Sequence, residues 1–423
     1  MDARLIGVLA SLSLGLGLTV ALVICLQRRA LAFTLVFVAT ALVYALSSGP
    51  FLAQQSDAPH YVYLADAFVH GRLWLERRPP NAEEGDWTFY DGKWTVSFPP
   101  LPAILMAPFV AVSGTDFNDV VFTLLLGALN VALVYEMSPH FGQRLEPPVD
   151  LTRPARVGLT VLFGFGTVHW WVASVGQVWF TAQIAGVTFL LLTIHETLGR
   201  GRPVLACTWL SLAAIARPSM LLALPVVIAL LLPANAPRRM ALGVIPLGVA
   251  GLLLAWFNWA RFGDPFELGY RYMRLEGLLA RIVEEQGTFS VAYLGRNIHY
   301  ALLEMPGLSS RWPFVVMDQW GMSILVSTPA LAILFAAPWR QRLAQLSLAG
   351  ALLVAVPSLL YYNTGYMQAG DRYLLDSLPF LLVLIGLGMR GRLRWPAALL
   401  ILVSVLMGYL SVENFKGMYF EWF

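Results

Sequence analysis

The sequence predicts an all-α polytopic membrane protein with about 12 transmembrane helices. Of its 423 residues, 58% are hydrophobic and only 13% are charged, whereas soluble globular chains carry about 25% charged residues. Apolar runs long enough to cross a hydrocarbon core of about 30 Å recur along the whole chain. Arginines cluster in alternate loops between these runs, which is the pattern of cytoplasmic loops.

Composition also excludes several kinds of site. The two cysteines, Cys25 and Cys207, lie in apolar runs, so neither a disulfide framework nor a zinc site is indicated. The six histidines lack metal-ligand spacing, and no basic tract with interleaved aromatic residues indicates nucleic-acid binding. We therefore expect no required cofactor; a divalent cation held by Asp57 and a partner in an external loop stays an alternative.

The first two apolar runs set the topology. Leu5–Leu26 is too long for a signal-peptide core, and the basic pair Arg28 and Arg29 follows it instead of preceding it. We interpret it as a spanning helix, and Leu31–Ala53 as the helix that returns. Since basic loops mark the cytoplasm, Asp57 is predicted to lie outside.

Residues 54–117 are predicted to form a long first external loop that carries juxtamembrane helices. The segment His60–His70 is amphipathic, and Asp91-Gly92 predicts a hairpin turn. The proline-rich segment Pro99–Gly114 is short for a crossing. If it crossed, the arginines of the loop 139–156 would fall outside, so it is predicted to lie at the outer interface.

The remaining spans follow the same rule, with a second large external loop at 261–318. The predicted spans are 118–138, 157–173, 178–195, 203–217, 219–232, 240–260, 320–338, 346–362, 374–390 and 396–412. The predicted cytoplasmic arginines are Arg28, Arg29, Arg144, Arg153, Arg156, Arg200, Arg202, Arg238, Arg239, Arg340, Arg342, Arg390, Arg392 and Arg394.

An acid directly beyond a spanning helix is a functional hypothesis by default, and Asp57 occupies that position. If the following helix begins at Asp57, then Asp57, His60 and Tyr61 share one face. Asp66 would point about 180° away and is the poorer candidate. Alternatives remain open: Asp57 caps the helix by accepting a hydrogen bond from the His60 amide, and His60 serves only in packing.

Two cationic positions lie near the predicted outer surface. Residues 203–217 give only about 22 Å of helix, so Arg217 is expected at or just below the interface, before the break at Pro218. Asp371 and Arg372 lie in a short external loop. Arg217 could instead reach towards lipid headgroups, and Asp371 and Arg372 could form a local ion pair.

Four stretches carry a family resemblance. They are Asp57 with His60-Tyr61, FPPLPAILMAP (Phe98–Pro108), AAIARP (Ala213–Pro218) and GDRYLLDSLP (Gly370–Pro379). The pattern resembles the GT-C superfamily of membrane glycosyltransferases, such as protein O-mannosyltransferases and the aminoarabinose transferases of lipid A. The likeness covers most of the chain and implies a GT-C-like single transmembrane glycosyltransferase domain over residues 1–423, with an extra N-terminal helix in residues 1–30.

Two positions depart from that pattern. The protein mannosyltransferases have a second acid directly after the first, where this chain has Ala58. Related enzymes have a basic residue or histidine before the Pro-Pro pair, where this chain has Phe98. The resemblance therefore implies that contacts to the donor phosphate come from elsewhere, with Lys93, Arg217 and Arg372 as candidates.

The resemblance implies an inverting transfer of a sugar from a polyprenyl phosphate to an acceptor hydroxyl on a lipid, glycan or protein. Asp57 would be the catalytic base. We expect the protein to lie in a bacterial inner membrane, among membrane lipids, with the active site facing away from the cytoplasm. The residues implied in substrate binding are His60, Tyr61, Lys93, Arg217, Asp371, Arg372 and Tyr373.

Other classes of protein remain alternatives. A lipid or lipid-linked-sugar transporter or flippase would also be polytopic, but it should place its charges near the bilayer midplane. The notable charges here lie at the predicted outer surface, which favours an enzyme. A lipid-linked glycan ligase or polymerase would share the lipid substrate, and a non-catalytic assembly partner for envelope synthesis also stays open.

Overall fold

A computed structural model describes residues 17, 29–80, 82, 86–232, 236–273, 275, 277–310 and 312–419. These residues are mostly helical, and their strands form two short antiparallel hairpins. One pairs Thr88–Tyr90 with Lys93–Thr95, and the other pairs Gly307–Leu308 with Val315–Val316. The predicted extra helix in residues 1–30 lies almost wholly outside the described residues.

The α-helices lie within one bundle and its flanking loops. Their bounds are Arg29–Ser48, His60–Val69, Leu101–Ser113, Asp119–Met137, Pro139–Gln143, Arg153–Phe165, His169–Val175, Val178–Leu198, Pro203–Ala216, Leu224–Leu231, Pro237–Gly243, Ile245–Phe262, Gly277–Gln286, Leu294–Ile298, Ile324–Ser327, Arg342–Leu359, Leu378–Gly388 and Trp395–Tyr419. The longer 3₁₀ segments are Gly49–Ala53, Pro218–Ala223, Pro329–Ala336 and Arg372–Ser377.

In the described residues, 6 helices are long and apolar enough to cross a membrane, or up to 7 if one bent pair is a single span. They are Arg29–Ala53, Asp119–Gln143, Val178–Leu198, Pro237–Phe262, Arg342–Leu359 and Trp395–Tyr419, with Arg153–Phe165 and His169–Val175 as the bent pair. The structure is consistent with an all-α membrane protein, but the predicted number of about 12 spans is not confirmed.

Prolines and 3₁₀ turns explain why several predicted spans are short. Pro218–Ala223 is a 3₁₀ segment that leads into the helix Leu224–Leu231, and Pro329–Ala336 is another 3₁₀ segment. A 3₁₀ helix rises about 2.0 Å per residue against about 1.5 Å in an α-helix. Each of these segments is therefore longer than an α-helix with the same number of residues, although none forms one long α-helix.

Several predicted elements are confirmed. The segment 118–138 is the helix Asp119–Met137, and the amphipathic segment after Pro59 is the helix His60–Val69. The predicted hairpin is present, with its turn at Asp91 and Gly92. Their φ angles of 48° and 73° are both positive, as a two-residue type I′ turn requires. The proline-rich segment forms a short helix, Leu101–Ser113, and its position at the outer interface stays a prediction.

The arginine-rich loops contact one another at one end of the bundle. Arg29 pairs with Glu136 at 2.6 Å, and Arg144 donates to the carbonyl oxygens of Thr197 and Leu198 at 2.9 and 3.1 Å. Further along, Gln341 donates to the Glu146 carbonyl at 2.7 Å, and Arg342 donates to the Ala229 carbonyl at 2.9 Å. Loops that the sequence places on one side of the membrane thus lie together.

The bent pair breaks after Phe165 and turns by 51°. The break frees backbone carbonyls, and Tyr44 Oη donates to the Gly164 carbonyl at 2.7 Å. The helix Trp395–Tyr419 packs on the same break. A Cβ at Gly408 would lie 2.0 Å from the Phe165 carbonyl oxygen, so this close approach requires glycine.

We expect Gly408→Ala to lower the stability of the folded protein by about 1–3 kcal/mol, because the added methyl group meets backbone that cannot rotate away. The measurement is the thermal unfolding midpoint in detergent. Gly248→Ala is the matched control, since a Cβ there meets nothing within 4 Å. Equal midpoints for the two variants would contradict the close packing of this helix on the break.

Candidate functional site

Two cavities adjoin at the end of the bundle opposite the arginine-rich loops. The Arg217 cavity has a volume of about 400 Å³ and is lined by Arg217, Ser219, Leu222 and Asp376 among others. The Asp57 cavity has a volume of about 550 Å³ and is lined by Asp57, Asp86, Trp87 and Gln177 among others. The residues that line both are Phe98, Trp179, Tyr361, Arg372 and Tyr373.

The Arg217 cavity has a largely apolar wall. Ala182, Leu222, Leu268 and Phe289 contribute to it. Leu222, Leu268 and Phe289 are also exposed at the protein surface. An apolar cavity whose rim carries exposed apolar side chains suits a hydrophobic chain that enters from the side.

Arg217 is neutralised inside this cavity. It ends the helix Pro203–Ala216 in an extended conformation, because the residue before a proline avoids the helical region. Its Nε and Nη2 donate to Asp376 Oδ2 at 3.0 and 2.8 Å, and Ser219 Oγ donates to the same oxygen at 3.2 Å. The Asp376 side chain is only 3% exposed, so this ion pair is largely desolvated and fixed.

Arg372 is a buried cation without a carboxylate partner among the described residues. The residue is 5% exposed, and its Nε has no hydrogen-bond partner. Its Nη1 lies 3.4 Å from Gln183 Oε1, and its guanidinium lies 5.2 and 4.8 Å from the rings of Phe180 and Tyr373. A buried unpaired charge is costly, so the arrangement indicates an anionic ligand at the junction of the two cavities.

The backbone around Arg372 is held from both sides. Its amide donates to Gln368 Oε1 at 3.0 Å, and its carbonyl accepts from Gln183 Nε2 at 2.8 Å. Asp371 does not form with it the local ion pair that the sequence left open as an alternative. Instead, Asp371 Oδ1 caps the 3₁₀ turn Arg372–Ser377 by accepting from the Tyr373 amide at 3.0 Å. Burial raises the pKa of Asp371 to about 7.

Asp57 is exposed within its cavity, and the residues on either side of it are fixed. Ser56 donates its amide and its hydroxyl to the Asp119 carboxylate at 2.9 and 2.5 Å. On the other side, the Ala58 carbonyl accepts from the Val178 amide at 2.9 Å. Partial burial raises the pKa of Asp57 above its ordinary value.

The predicted shared face of Asp57, His60 and Tyr61 is not formed. The helix begins at His60, and its N-cap position is Pro59, which makes no side-chain cap. Asp57 therefore lies outside the helix and does not cap it, while His60 and Tyr61 are buried. His60 stacks on Trp87 with ring centroids 3.6 Å apart, so it supports a wall of the Asp57 cavity from behind.

Lys93 and Tyr373, two further predicted binding residues, differ in their position relative to the cavities. Lys93 is exposed on the hairpin, with its ammonium 4.1 Å from the Trp74 ring, and it lines neither cavity. Tyr373 lines both. The structure thus brings Asp57, Arg217, Arg372 and Tyr373 to the joined cavities, whereas Lys93, His60 and Tyr61 are not among their lining residues.

Sequence reasoning missed several lining residues. Sequence patterns assigned no individual role to Asp86 or Trp179, and Asp376 lies inside the motif Gly370–Pro379 without a predicted role. The signal for Asp376 was its position four residues after Arg372, on the first turns of a predicted span, where an acid is rare.

Among the described residues, no group of three or more His, Cys, Asp and Glu side chains is placed to hold a metal ion. The chain matches no family model, and it matches no curated protein sequence.

We expect Arg217→Gln to destabilise the protein by about 3 kcal/mol, because it leaves the Asp376 carboxylate buried without its cation. The double variant Arg217→Gln with Asp376→Asn removes both charges and should recover most of the loss. Unfolding midpoints of the wild type, both single variants and the double variant give the coupling between the two sites. Additive losses would show that the pair contributes nothing.

Asp371 should make stability depend on pH. Its pKa is about 7 in the folded protein and 3.8 in an unfolded chain. Its contribution to the free energy of unfolding is therefore fully present below pH 3.8 and is lost as the pH rises towards 7. Asp371→Asn can still cap the turn but does not titrate. We expect the wild type to lose stability relative to this variant across that range; parallel stability curves would contradict the assignment.

Proposed function

We propose that the protein is an inverting glycosyltransferase that moves a sugar from a polyprenyl-phosphate donor to an acceptor hydroxyl. The observation that carries the proposal is the pair of joined cavities with the buried Arg372 between them. One cavity is apolar at its rim, and the other carries the carboxylates Asp57 and Asp86. A polyprenyl-phosphate sugar has a hydrophobic chain, a phosphate and a sugar in that order. These parts match the apolar cavity, Arg372 and the cavity with the carboxylates, respectively.

The charged side chains Arg217, Asp376 and Arg372 favour a phosphate with a single negative charge. Asp376 already balances Arg217 through two charge-assisted hydrogen bonds. Arg372 has no carboxylate partner in the described part of the chain, so one positive charge is left for the ligand. Guanidinium groups bind phosphate oxygens through paired hydrogen bonds, and a sugar phosphodiester would supply one negative charge.

The proposed chemistry needs one base and one anion site. The acceptor oxygen attacks the anomeric carbon while Asp57 takes the hydroxyl proton. The bond between that carbon and the phosphate oxygen breaks, and its electron pair leaves with the phosphate. Arg372 stabilises the charge that grows on this oxygen. The leaving phosphate is a stable anion, so the step needs no general acid.

The placement of the cavities supports an extracytoplasmic site. The segments around Asp57, Arg217, Phe289 and Arg372 all belong to loops or helix ends that the sequence predicts to lie outside. The arginine-rich loops lie at the other end of the bundle, and such loops favour the cytoplasm. A bacterial inner membrane is the proposed location.

We expect Asp57→Asn to reduce sugar transfer about a hundredfold or more, because loss of a general base costs that order of rate. The assay follows transfer in membranes from a panel of radiolabelled polyprenyl-phosphate sugars. Asp66→Asn is the matched control, since the same change in the same loop affects a residue that lines neither cavity. Wild-type activity should also fall as the pH drops through the raised pKa of Asp57, because the protonated acid cannot accept a proton.

Equal transfer by wild type and Asp57→Asn would remove Asp57 from the mechanism. Transfer from no donor would contradict the proposal, and transport of a lipid-linked sugar would then be the function to test. Transfer only from polyprenyl diphosphates would contradict the count of one free positive charge.

A further inference from the structure

The Asp57 cavity contains a second carboxylate, Asp86, which the proposed chemistry does not use. Its Oδ2 accepts a hydrogen bond from Trp179 Nε1 at 3.0 Å. Its φ angle is 67°, in the left-handed region that Asp and Asn adopt more readily than other non-glycine residues. Residues held in this region are found often at ligand sites.

The backbone that follows Asp86 is fixed by its contacts. Trp87 is buried and stacks on His60. Thr88 pairs with Met273 through a backbone bridge, and its hydroxyl hydrogen-bonds the Ser97 hydroxyl. Asp86 is therefore followed by a well-packed segment, and its carboxylate is oriented by the Trp179 indole, which favours selective recognition.

The other carboxylate oxygen is available. Asp86 Oδ1 accepts no hydrogen bond from the described residues, and no cation of theirs lies within ion-pair distance. Burial raises the pKa of Asp86, while the indole hydrogen bond and the charge of Arg372 partly offset this effect. Arg372 is thus near enough to act on Asp86 without pairing with it. An oriented acceptor in a cavity is satisfied when a ligand donates to it.

The position of Asp86 indicates which part of a ligand it would meet. Its partner Trp179 lines both cavities, as does Arg372, and Asp57 lines the same cavity as Asp86. In the proposed transfer the anomeric carbon must reach both the phosphate at Arg372 and the hydroxyl at Asp57. The sugar ring must therefore lie between these two residues, where its hydroxyl groups face Asp86 and the Trp179 indole.

We propose that Asp86 accepts a hydrogen bond from a ring hydroxyl of the transferred sugar and thereby selects which sugar the site takes. This inference rests on the proposed function. Asp86 is a binding residue in it, and Asp57 alone takes the proton. The Trp179 indole fixes the carboxylate, so loss of its N–H group should weaken the same selection.

The test uses the full chain in membranes with a panel of polyprenyl-phosphate sugars that differ in one hydroxyl group, either inverted or replaced by hydrogen. Asp86→Asn keeps an oxygen for the Trp179 N–H and tolerates the left-handed backbone. Asp91→Asn is the matched control, because Asp91 lies in the same loop, also has a positive φ angle, and is exposed on the hairpin turn.

For the preferred donor, we expect Asp86→Asn to raise KM about tenfold and to change kcat by less than about threefold, as for the loss of one hydrogen bond to a charged group. The preference among sugars should shrink by a similar factor. Trp179→Phe keeps an aromatic ring but removes the donor, and it should shift KM in the same direction. Asp91→Asn should match the wild type.

Unchanged KM and unchanged preference in Asp86→Asn, with transfer still abolished in Asp57→Asn, would overturn this inference and leave the proposed function standing. A collapse of kcat at constant KM would also overturn it, since Asp86 would then act in the chemical step. Absence of transfer by the wild type from every donor would overturn the function and the inference together.

Discussion

The Asp119 carboxylate is the contact on which the site depends. It stands at the first residue of the helix Asp119–Met137, is 2% exposed, and accepts both the amide and the hydroxyl of Ser56. The backbone amide of Gln177 also lies near this carboxylate and favours its charged form. A negative charge suits the N-terminus of a helix. One buried acid thus joins the segment that carries Asp57 to the turn that starts the helix Val178–Leu198, which carries Trp179 and Gln183.

Around that contact, most buried charges have partners within the protein, and one cation has no carboxylate partner in the described part of the chain. Arg217 and Asp376 neutralise each other, and Asp371 caps a turn. Arg372 is left without a carboxylate in the described part of the chain, although it is more deeply buried than the Arg217 side chain. A protein selected for stability alone would pair this charge or expose it, so its isolation is the strongest functional signal in the molecule.

Sequence patterns predicted the helices and the hairpin better than they predicted the side-chain contacts. Apolar runs located the helix Asp119–Met137, and Asp91-Gly92 located the hairpin, because both signals are local. The shared face of Asp57, His60 and Tyr61 required the first residue of a helix, and helix ends are weakly encoded. The position of Asp86 was out of reach, since it depends on a left-handed backbone and on a hydrogen bond from Trp179, which lies 93 residues further along the chain.

The broken helix before the site has a further chemical property. Tyr44 has one hydroxyl hydrogen and donates it to the Gly164 carbonyl, so His169 Nδ1, 2.9 Å from the same oxygen, must carry the proton between them. His169 Nε2 is then the acceptor, facing the Asn130 amide at 3.4 Å. This order of donors admits a single tautomer of the neutral imidazole and offers no acceptor for a second proton. The helix break is thereby fixed by one defined arrangement of donors and acceptors, in which the Tyr44 hydroxyl joins the Gly164 carbonyl to the His169 ring.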